Sequence, residues 1–432
     1  MHPCKYLEGD LCIAIMFILE NILYNFRRLY QIERDCREKV LQRFENIKDN
    51  TRKLNDLYER QAKLVGSLQE GGFVARCFKN KGSGENINKA MDIDLELIIT
   101  TLSDKQRHCI QEIDQKPGFV KLNTNLTNCT FNRQLHYENY ITIEEEEKVF
   151  KGGFLRPYES KKVLLNGNVF EIHDEPLKIV QAVNAWVFKT KMEEVKILNA
   201  REEITKATVS FSMTVLVEDK FEYDISLDAA SIIKVDWTPN VTTNWIQRSR
   251  NWTDLIGQLS NELRYSYVIL KTSNEEKGNN ETIELRYSFA HIERKIVELQ
   301  SDTQRMIFTI FKSIIYQYLL TNELEDIVSS YIAKTTMLWT CEKYPPNDPF
   351  WSDDNASILR ILKYLITELH QNFDRGFLPY YFIPEINLLG HLPSGIVRKL
   401  TSILFNMKHN IEDYLPRHSH EVLDLSELVL SV

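Results

Sequence analysis

One stretch constrains this chain more than any other. Between positions 91 and 97, Met91, Ile93, Leu95 and Leu97 alternate without a break with Asp92, Asp94 and Glu96. A period of two belongs to a β-strand with one face in a core and the other outside it, and here the outer face carries nothing but carboxylates. A second strand of the same kind is predicted at Phe221–Leu227, where Phe221, Tyr223, Ile225 and Leu227 share one face and Glu222, Asp224, Ser226 and Asp228 the other. Thr208–Val217 precedes it across the turn Glu218-Asp219-Lys220, so the two read as a hairpin. Two acidic rows in one sheet repel one another unless cations or solvent intervene.

Around this sheet the patterns turn helical. Tyr30 to Leu68 has no proline, no glycine before Gly66, and Ile32, Cys36, Val40, Phe44 and Ile47 at spacings of three and four, which predicts one long amphipathic helix. Its other face mixes Arg34, Arg37, Lys39 and Arg43 with Glu33, Asp35 and Glu38, the pattern of a solvated surface with at most a local basic groove. A short strand is expected at Phe73–Phe78, a turn-prone segment at Lys79–Asn88, helical character from Trp245 to Leu263, an exposed loop at Ser273–Thr282 and a strand at Ile283–Phe289. Broad apolar stripes then recur at Met306–Tyr318, Val328–Cys341 and Ala356–His370. The expectation is an α+β chain of two lobes. Residues 1–29 form an apolar helical extension, 30–240 a mixed-sheet lobe with the long helix, and 241–432 a helical C-terminal lobe.

The net charge of −8 removes any global positive field that could hold a nucleic-acid backbone, so such a contact needs a local patch. Seven scattered cysteines without a CxxC pair or a Cys/His cluster read as free thiols in a reducing compartment and argue against structural zinc. The apolar run Leu11–Leu19 follows Glu8 and Asp10 rather than basic residues, which is wrong for a signal peptide, and it is about half the roughly 20 residues a membrane span needs. It reads as a buried or partner-facing helix. The sequons at Asn125, Asn240 and Asn251 are discounted, and a cytoplasmic protein is expected.

Chemistry enters with Gly82-Ser83, followed after eight residues by Asp92-x-Asp94. A Gly-Ser turn entering a helix presents backbone N–H groups and a hydroxyl to phosphate oxygens, and carboxylates two apart on a strand project together and can share divalent metals. A third carboxylate from a neighbouring strand completes a two-metal site, and Asp224 is placed to supply it. Each element alone is a common chance pattern. Their order along the chain makes one arrangement of them.

These residues resemble the nucleotidyltransferase signature of the male-abnormal (Mab) domain family, which includes cyclic GMP-AMP synthase and the cGAS-like receptors. Gly82-Ser83-Gly84-Glu85-Asn86 through Asp92-Ile93-Asp94-Leu95 is similar to the family's GS motif and first two metal ligands, and Phe221–Ile225 to the strand bearing the third. Further stretches look like family motifs in family order: Ser288–Arg294, Ser329–Thr335, Trp339–Glu342 and Tyr381–Leu388. The resemblance implies a two-lobed nucleotidyltransferase fold in which Asp92, Asp94 and Asp224 bind Mg²⁺ or Mn²⁺ and are the catalytic acids. It also implies that Gly82 and Ser83 contact the donor triphosphate, that Arg294 and Ser330 contact phosphates, and that Tyr331 stacks on a nucleobase. Read without the family, Tyr331 is a core tyrosine with its hydroxyl paired, Ser330 a residue that caps or back-bonds within its helix, and Arg294 a surface cation.

The implied activity is ligand-activated synthesis of a cyclic dinucleotide, or a short oligonucleotide, from nucleoside triphosphates such as ATP and GTP, in innate immune signalling. Two departures matter. Arg294 stands where cyclic GMP-AMP synthase has lysine, which exchanges a point charge for a planar fork. Ile296–Phe311 lacks the Cys/His zinc insertion of that enzyme, which with the negative net charge argues against duplex DNA as activator and leaves duplex RNA or another ligand open. The rival reading is a Mab-domain interaction or regulatory protein without catalysis. Retention of three acids favours the enzyme.

Overall fold

The computed structural model describes residues 20, 23, 24, 26–28, 30, 31, 34, 62–66, 70, 90–123, 162–165, 168–171, 195–204, 208–217, 221–270, 282–320, 324 and 327–415. The main sheet is built from β1 (Ala62–Val65), β2 (Ala90–Leu102), β3 (Ile110–Glu112) and β4 (Phe119–Asn123). A separate hairpin, β5 (Lys162–Leu165) with β6 (Asn168–Glu171), follows, and then β7 (Val195–Ile204), β8 (Thr208–Val217), β9 (Phe221–Val235), β10 (Ser266–Leu270) and β11 (Thr282–Ser288) complete the main sheet. Its order is β1-β2-β9-β10-β11-β4-β3, with β7 and β8 branching from β9. The curled sheet and the helices that follow make a mixed α/β chain.

The sheet is organised by β9. One edge pairs in parallel with β2 along almost its whole length, while the other pairs antiparallel first with β8, over Phe221–Ala230, and then with β10, over Ile232–Val235. Registered residues lie on the same face of a sheet, so one face is read directly from the pairing. Met91, Ile93 and Leu95 stand beside Ile225, Leu227 and Ala229, which stand beside Met213, Phe211 and Val209. That is the apolar face. A register shift between Ile98 and Thr100 marks a bulge, after which Leu102, Ile233 and Val235 enter the core.

The helical half contains α1 (Asn240–Gln247), the short α2 (Leu255–Gln258), α3 (Ala290–Leu299), α4 (Asp302–Tyr318), α5 (Tyr331–Lys343), α6 (Asn355–Asp374) and α7 (Ser394–His409). Ser301 and Gln304 form a capping box that fixes where α4 starts, and from Met306 to Gln317 every residue of that helix is buried. A helix covered on all sides is a central core element, and Thr309 and Ser313 avoid unpaired hydroxyls by donating to the carbonyls of Arg305 and Thr309. A second organising point is Glu342 at the end of α5. It accepts hydrogen bonds from Arg248 Nη2 (2.7 Å) and Tyr381 Oη (2.8 Å), while the Arg248 guanidinium lies 4.2 Å from the Trp339 ring.

Several expectations need correction. The helix predicted from Tyr30 to Leu68 does not reach that far, because residues 62–65 form β1 and pair with Asp94–Leu97. Ala-Lys-Leu-Val is compatible with a helix locally, and the free edge of β2 decides otherwise. The helical residues nearer the N-terminus lie on both sides of Tyr30, with Leu23, Phe26 and Tyr30 buried, and Tyr30 Oη and Arg34 Nη1 each 3.1 Å from the Asp302 carboxylate. The helical character expected from Trp245 to Leu263 is broken into α1, α2 and a single 3₁₀ turn at Glu262–Arg264, and β10 follows it. The second hairpin strand runs to Val235 rather than ending at Leu227. Cys109 is disulfide-bonded, so the expectation of free thiols fails there: sequence spacing detects local pairs, whereas a disulfide joins residues the fold brings together. Cys341 is a free, buried thiol. The strand expected at Phe73–Phe78 and the loop expected at Ser273–Thr282 lie largely outside the described residues. Among the described residues no helix is long and apolar enough to cross a membrane.

Docking of the N-terminal helical residues onto the start of α4 is testable. Phe26 is fully buried, and Phe26→Ala is expected to cost about 3–5 kcal/mol in urea unfolding, through lost transfer free energy and a residual cavity. A cost below about 0.5 kcal/mol, the range of surface substitutions, would mean that these residues do not pack as described.

Candidate active site on the acidic strands

The face of the sheet opposite the apolar one carries the acids. Asp94 registers with Asp228 and with Val65, Asp92 with Ser226, and Ala90 with Asp224, while β8 continues these rungs with Ser210, Ser212 and Thr214. Adjacent strands are about 4.8 Å apart and same-face neighbours about 6.6 Å apart along a strand. Asp94 and Asp228 therefore share a rung, Asp92 is one step along, and Asp224 is the diagonal neighbour of Asp92 on the adjacent strand. All three sequence-predicted acids occupy one face of two neighbouring strands. The register also adds Asp228, which is closer to Asp94 than Asp224 is. Asp94 and Asp228 are partly buried, and Glu96 is buried, its Oε1 accepting a hydrogen bond from Ser288 Oγ at 2.9 Å. The side chains of Asp92 and Asp224 fall outside the described residues, and among the described ones no three metal-ligating side chains form a cluster.

Gly66 is the residue that sequence reasoning missed. It follows β1 at φ +70°, a left-handed conformation that favours glycine, and a Cβ built on it would stand 1.9 Å from Asp94 Oδ2. The chain thus passes so close to an acid of the row that only a residue without a side chain fits. Gly66 is followed in sequence by Ser67, so a second Gly-Ser pair stands 26 residues before Asp92, and its glycine abuts the acidic strand. The signal was present in the glycine that interrupts Tyr30–Leu68. Gly82 and Ser83 lie outside the described residues.

On the helical side, Ser330 occupies the N-cap position of α5, but its side chain makes no capping hydrogen bond; the Tyr331 N–H donates to Ser329 Oγ instead, at 3.2 Å. The helix cap reading of Ser330 therefore does not apply. Tyr331 is half-buried and donates its hydroxyl to Glu293 Oε1. Burial, and then the Glu293 carboxylate, holds that phenol well above its usual range, so it remains a neutral donor. Glu293 also accepts from Lys334 Nζ at 2.8 Å, and Lys334 is 2.7 Å from Glu70. Burial raises the Glu70 pKa against the opposing pull of Lys334. Arg294 is 3.7 Å from Glu298 through Nε, a long contact on a side chain 36% exposed. A cleft of about 390 Å³ lies elsewhere, lined by Arg250, Trp339, Lys343, Tyr364 and Arg375 among others, and none of its lining residues belongs to β2 or β9.

The Gly66 geometry has a direct consequence. Gly66→Ala is expected to lower stability by roughly 1–3 kcal/mol, since it combines a disfavoured φ with displacement of the Asp94 carboxylate. Gly395→Ala, in α7 with open space around it, is expected to be neutral or stabilising in the same thermal melts. Equal effects of the two would contradict the contact with Asp94.

Comparison with known proteins bears on the helical half. Residues 303–405, from α4 to α7, match the Mab-21 protein HhH/H2TH-like domain family. The chain is also 28% identical over 89 residues to Protein mab-21-like 3 of Danio rerio, an alignment covering 21% of this chain and 21% of that protein. The chain thus spans about a fifth of the curated relative it matches. Both likenesses are partial, and the family match falls within the helical half of the chain.

Proposed function

We propose that this protein is a metal-dependent nucleotidyltransferase that joins nucleoside triphosphates, ATP, GTP or others, into a cyclic dinucleotide or short oligonucleotide. The observation that carries this reading is the acidic face of β2 and β9 with the Gly66 backbone packed against Asp94. The four aspartates on these two adjacent strands are hard oxygen donors of the kind that suits Mg²⁺ or Mn²⁺, and like charges on one sheet face favour a cation between them. Asp92, Asp94 and an acid of β9 would hold the metal. Asp224 is the third acid by family resemblance, and Asp228 is the acid on the rung of Asp94. Bound metal supplies activation of a ribose hydroxyl and charge neutralisation at the leaving pyrophosphate.

The remaining roles belong to the chain itself. The close backbone approach at Gly66, with Ser67 after it, suits a turn facing the triphosphate, and Gly82-Ser83 is the alternative turn. Ser330, at the N-terminal end of α5 with a hydroxyl not used for capping, suits a phosphate oxygen, because the helix end adds partial positive charge. Arg294 offers a partly exposed guanidinium for the same anion, and the Tyr331 ring, anchored through its hydroxyl, suits stacking on a base. The ribose oxygen forms a bond to the α-phosphorus while the bond from that phosphorus to the pyrophosphate oxygen breaks. A second round in the opposite sense closes a ring. In this reading the protein is a cytoplasmic innate immune sensor switched on by a ligand that binds a local patch, either duplex RNA or another ligand, rather than duplex DNA.

Purified full-length protein incubated with the four nucleoside triphosphates, Mn²⁺ and a panel of nucleic acids, with products identified by mass, tests the proposal. Asp224→Asn is expected to cut product roughly hundredfold or more while the fold is kept. Loss of product in Asp228→Asn alone would assign the third ligand to the rung of Asp94. Unchanged product in both, or no product from the unaltered protein under any condition, would overturn the enzymatic reading in favour of a regulatory Mab-domain protein.

A further inference from the structure

Among the described residues outside the acidic face, buried charge gathers around Lys334. Its ammonium lies 2.7 Å from Glu70 Oε2 and 2.8 Å from Glu293 Oε2, with side chains only 17%, 2% and 6% exposed respectively. The Glu293 carboxylate takes the Tyr331 hydroxyl on its other oxygen, and Lys334 lies 5.3 Å from the Tyr331 ring, which packs at 5.8 Å against Tyr380. Lys312 on the central α4 is also buried and adds a second positive charge that acts on Glu70. Burying such charges costs more than an apolar contact of the same volume would, so the arrangement is a poor route to stability alone.

Its connectivity gives the reason. Glu70 lies four residues beyond Gly66, which meets Asp94; Glu293 is the residue before Arg294 on α3; Lys334 and Tyr331 share the first turn of α5, next to Ser330. One ammonium thus joins three separate elements, each carrying a group assigned above to the nucleotide. We propose that Lys334 is a positioning residue that couples the backbone at Gly66 to the Tyr331 ring through Glu70 and Glu293, so that the triphosphate end and the base end of one nucleotide are held in register. The inference rests on the nucleotidyltransferase reading. Strength is added by directionality: Lys334 has three donors and no acceptor, and both carboxylates are oriented toward it, so a shift of either element breaks a bond inside a site of low exposure.

The test is a double-mutant cycle in the full chain, read as the KM for nucleoside triphosphate and kcat of product formation. Glu70→Gln keeps size and still accepts from Lys334, and Tyr331→Phe keeps the stacking ring while releasing it from Glu293. Each is expected to raise KM about tenfold, as small displacements far from the reacting atoms do, and the double variant no more than the worse single one. Thermal stability of Tyr331→Phe serves as the control that a purely structural role would move without moving KM. Independent, multiplying effects, or unchanged KM beside lowered stability, would overturn the coupling while leaving the enzyme reading intact. A wild-type protein that neither binds nucleoside triphosphate with Mn²⁺ nor forms product would remove both. Should Glu70→Gln not fold, Glu293→Gln with Tyr331→Phe is read in its place: these two share one hydrogen bond, so independent, multiplying effects on KM overturn the proposal.

Discussion

The parallel pairing of β2 with β9 is the constraint from which the rest of the sheet follows. Parallel neighbours cannot be joined by a tight turn, so the chain between them must travel, and it does so through the strands that end in the β8–β9 hairpin. Once the register is set with Asp94 opposite Asp228, every alternate residue is assigned to a face. A slip of one residue would bring the carboxylates of β2 into the apolar layer with Ile225 and Leu227. The cost of burying even one of those charges without a partner makes that register inaccessible. The acidic face is therefore enforced by the apolar one.

The helical half is tied together by a different device, buried ion groups with several donors each. Glu342 gathers Arg248 and Tyr381 from two loops onto α5, and Lys334, about two turns earlier on the same helix, gathers Glu70 and Glu293. α5 thus anchors both ends of its length through charge, while α4 contributes the apolar packing. Of the stretches that resemble family motifs, Trp339–Glu342 and Tyr381–Leu388 are structural in this sense. Asn387, for example, donates to the Gly376 carbonyl and accepts from the Leu378 N–H. The resemblance in those stretches speaks for the fold of the helical half, where the family match also falls, rather than for chemistry.

The candidate site was legible to different depths. Asp92, Asp94 and Asp224 were readable because alternation with large apolar residues leaves no other face for them, and the hairpin carrying Asp224 could be recognised from its two alternating strands and the polar turn between them. Asp228 shares the face of Asp224 in any register, but its place beside Asp94 depends on how far β9 is shifted along β2, which no local pattern encodes. Gly66 was hidden inside a sequence with helical periodicity. Its meaning comes from β1 pairing with β2 and from the Asp94 carboxylate beside it, neither of which is a neighbour in sequence. Ser330 was expected to cap its helix if it had no other role, and the substitution of Ser329 for that task is a matter of backbone geometry at the start of α5.

The sequence by itself determined the periods: strands at β2, β8 and β9, the broad apolar stripe of α4 over Met306–Tyr318, and a sheet face made of carboxylates. These are local, since side-chain direction repeats with the backbone and is readable wherever the pattern is long enough. Tertiary structure alone decided that residues 62–65 are a strand, that Asp94 faces Asp228 and Gly66, and that Glu70, Glu293, Lys334 and Tyr331 meet. Each of these depends on a contact between residues far apart in the chain, whose energy appears only when the elements are packed and water is excluded from between them. A lone glutamate, lysine or glycine in a helical pattern carries no trace of the partner that gives it its role.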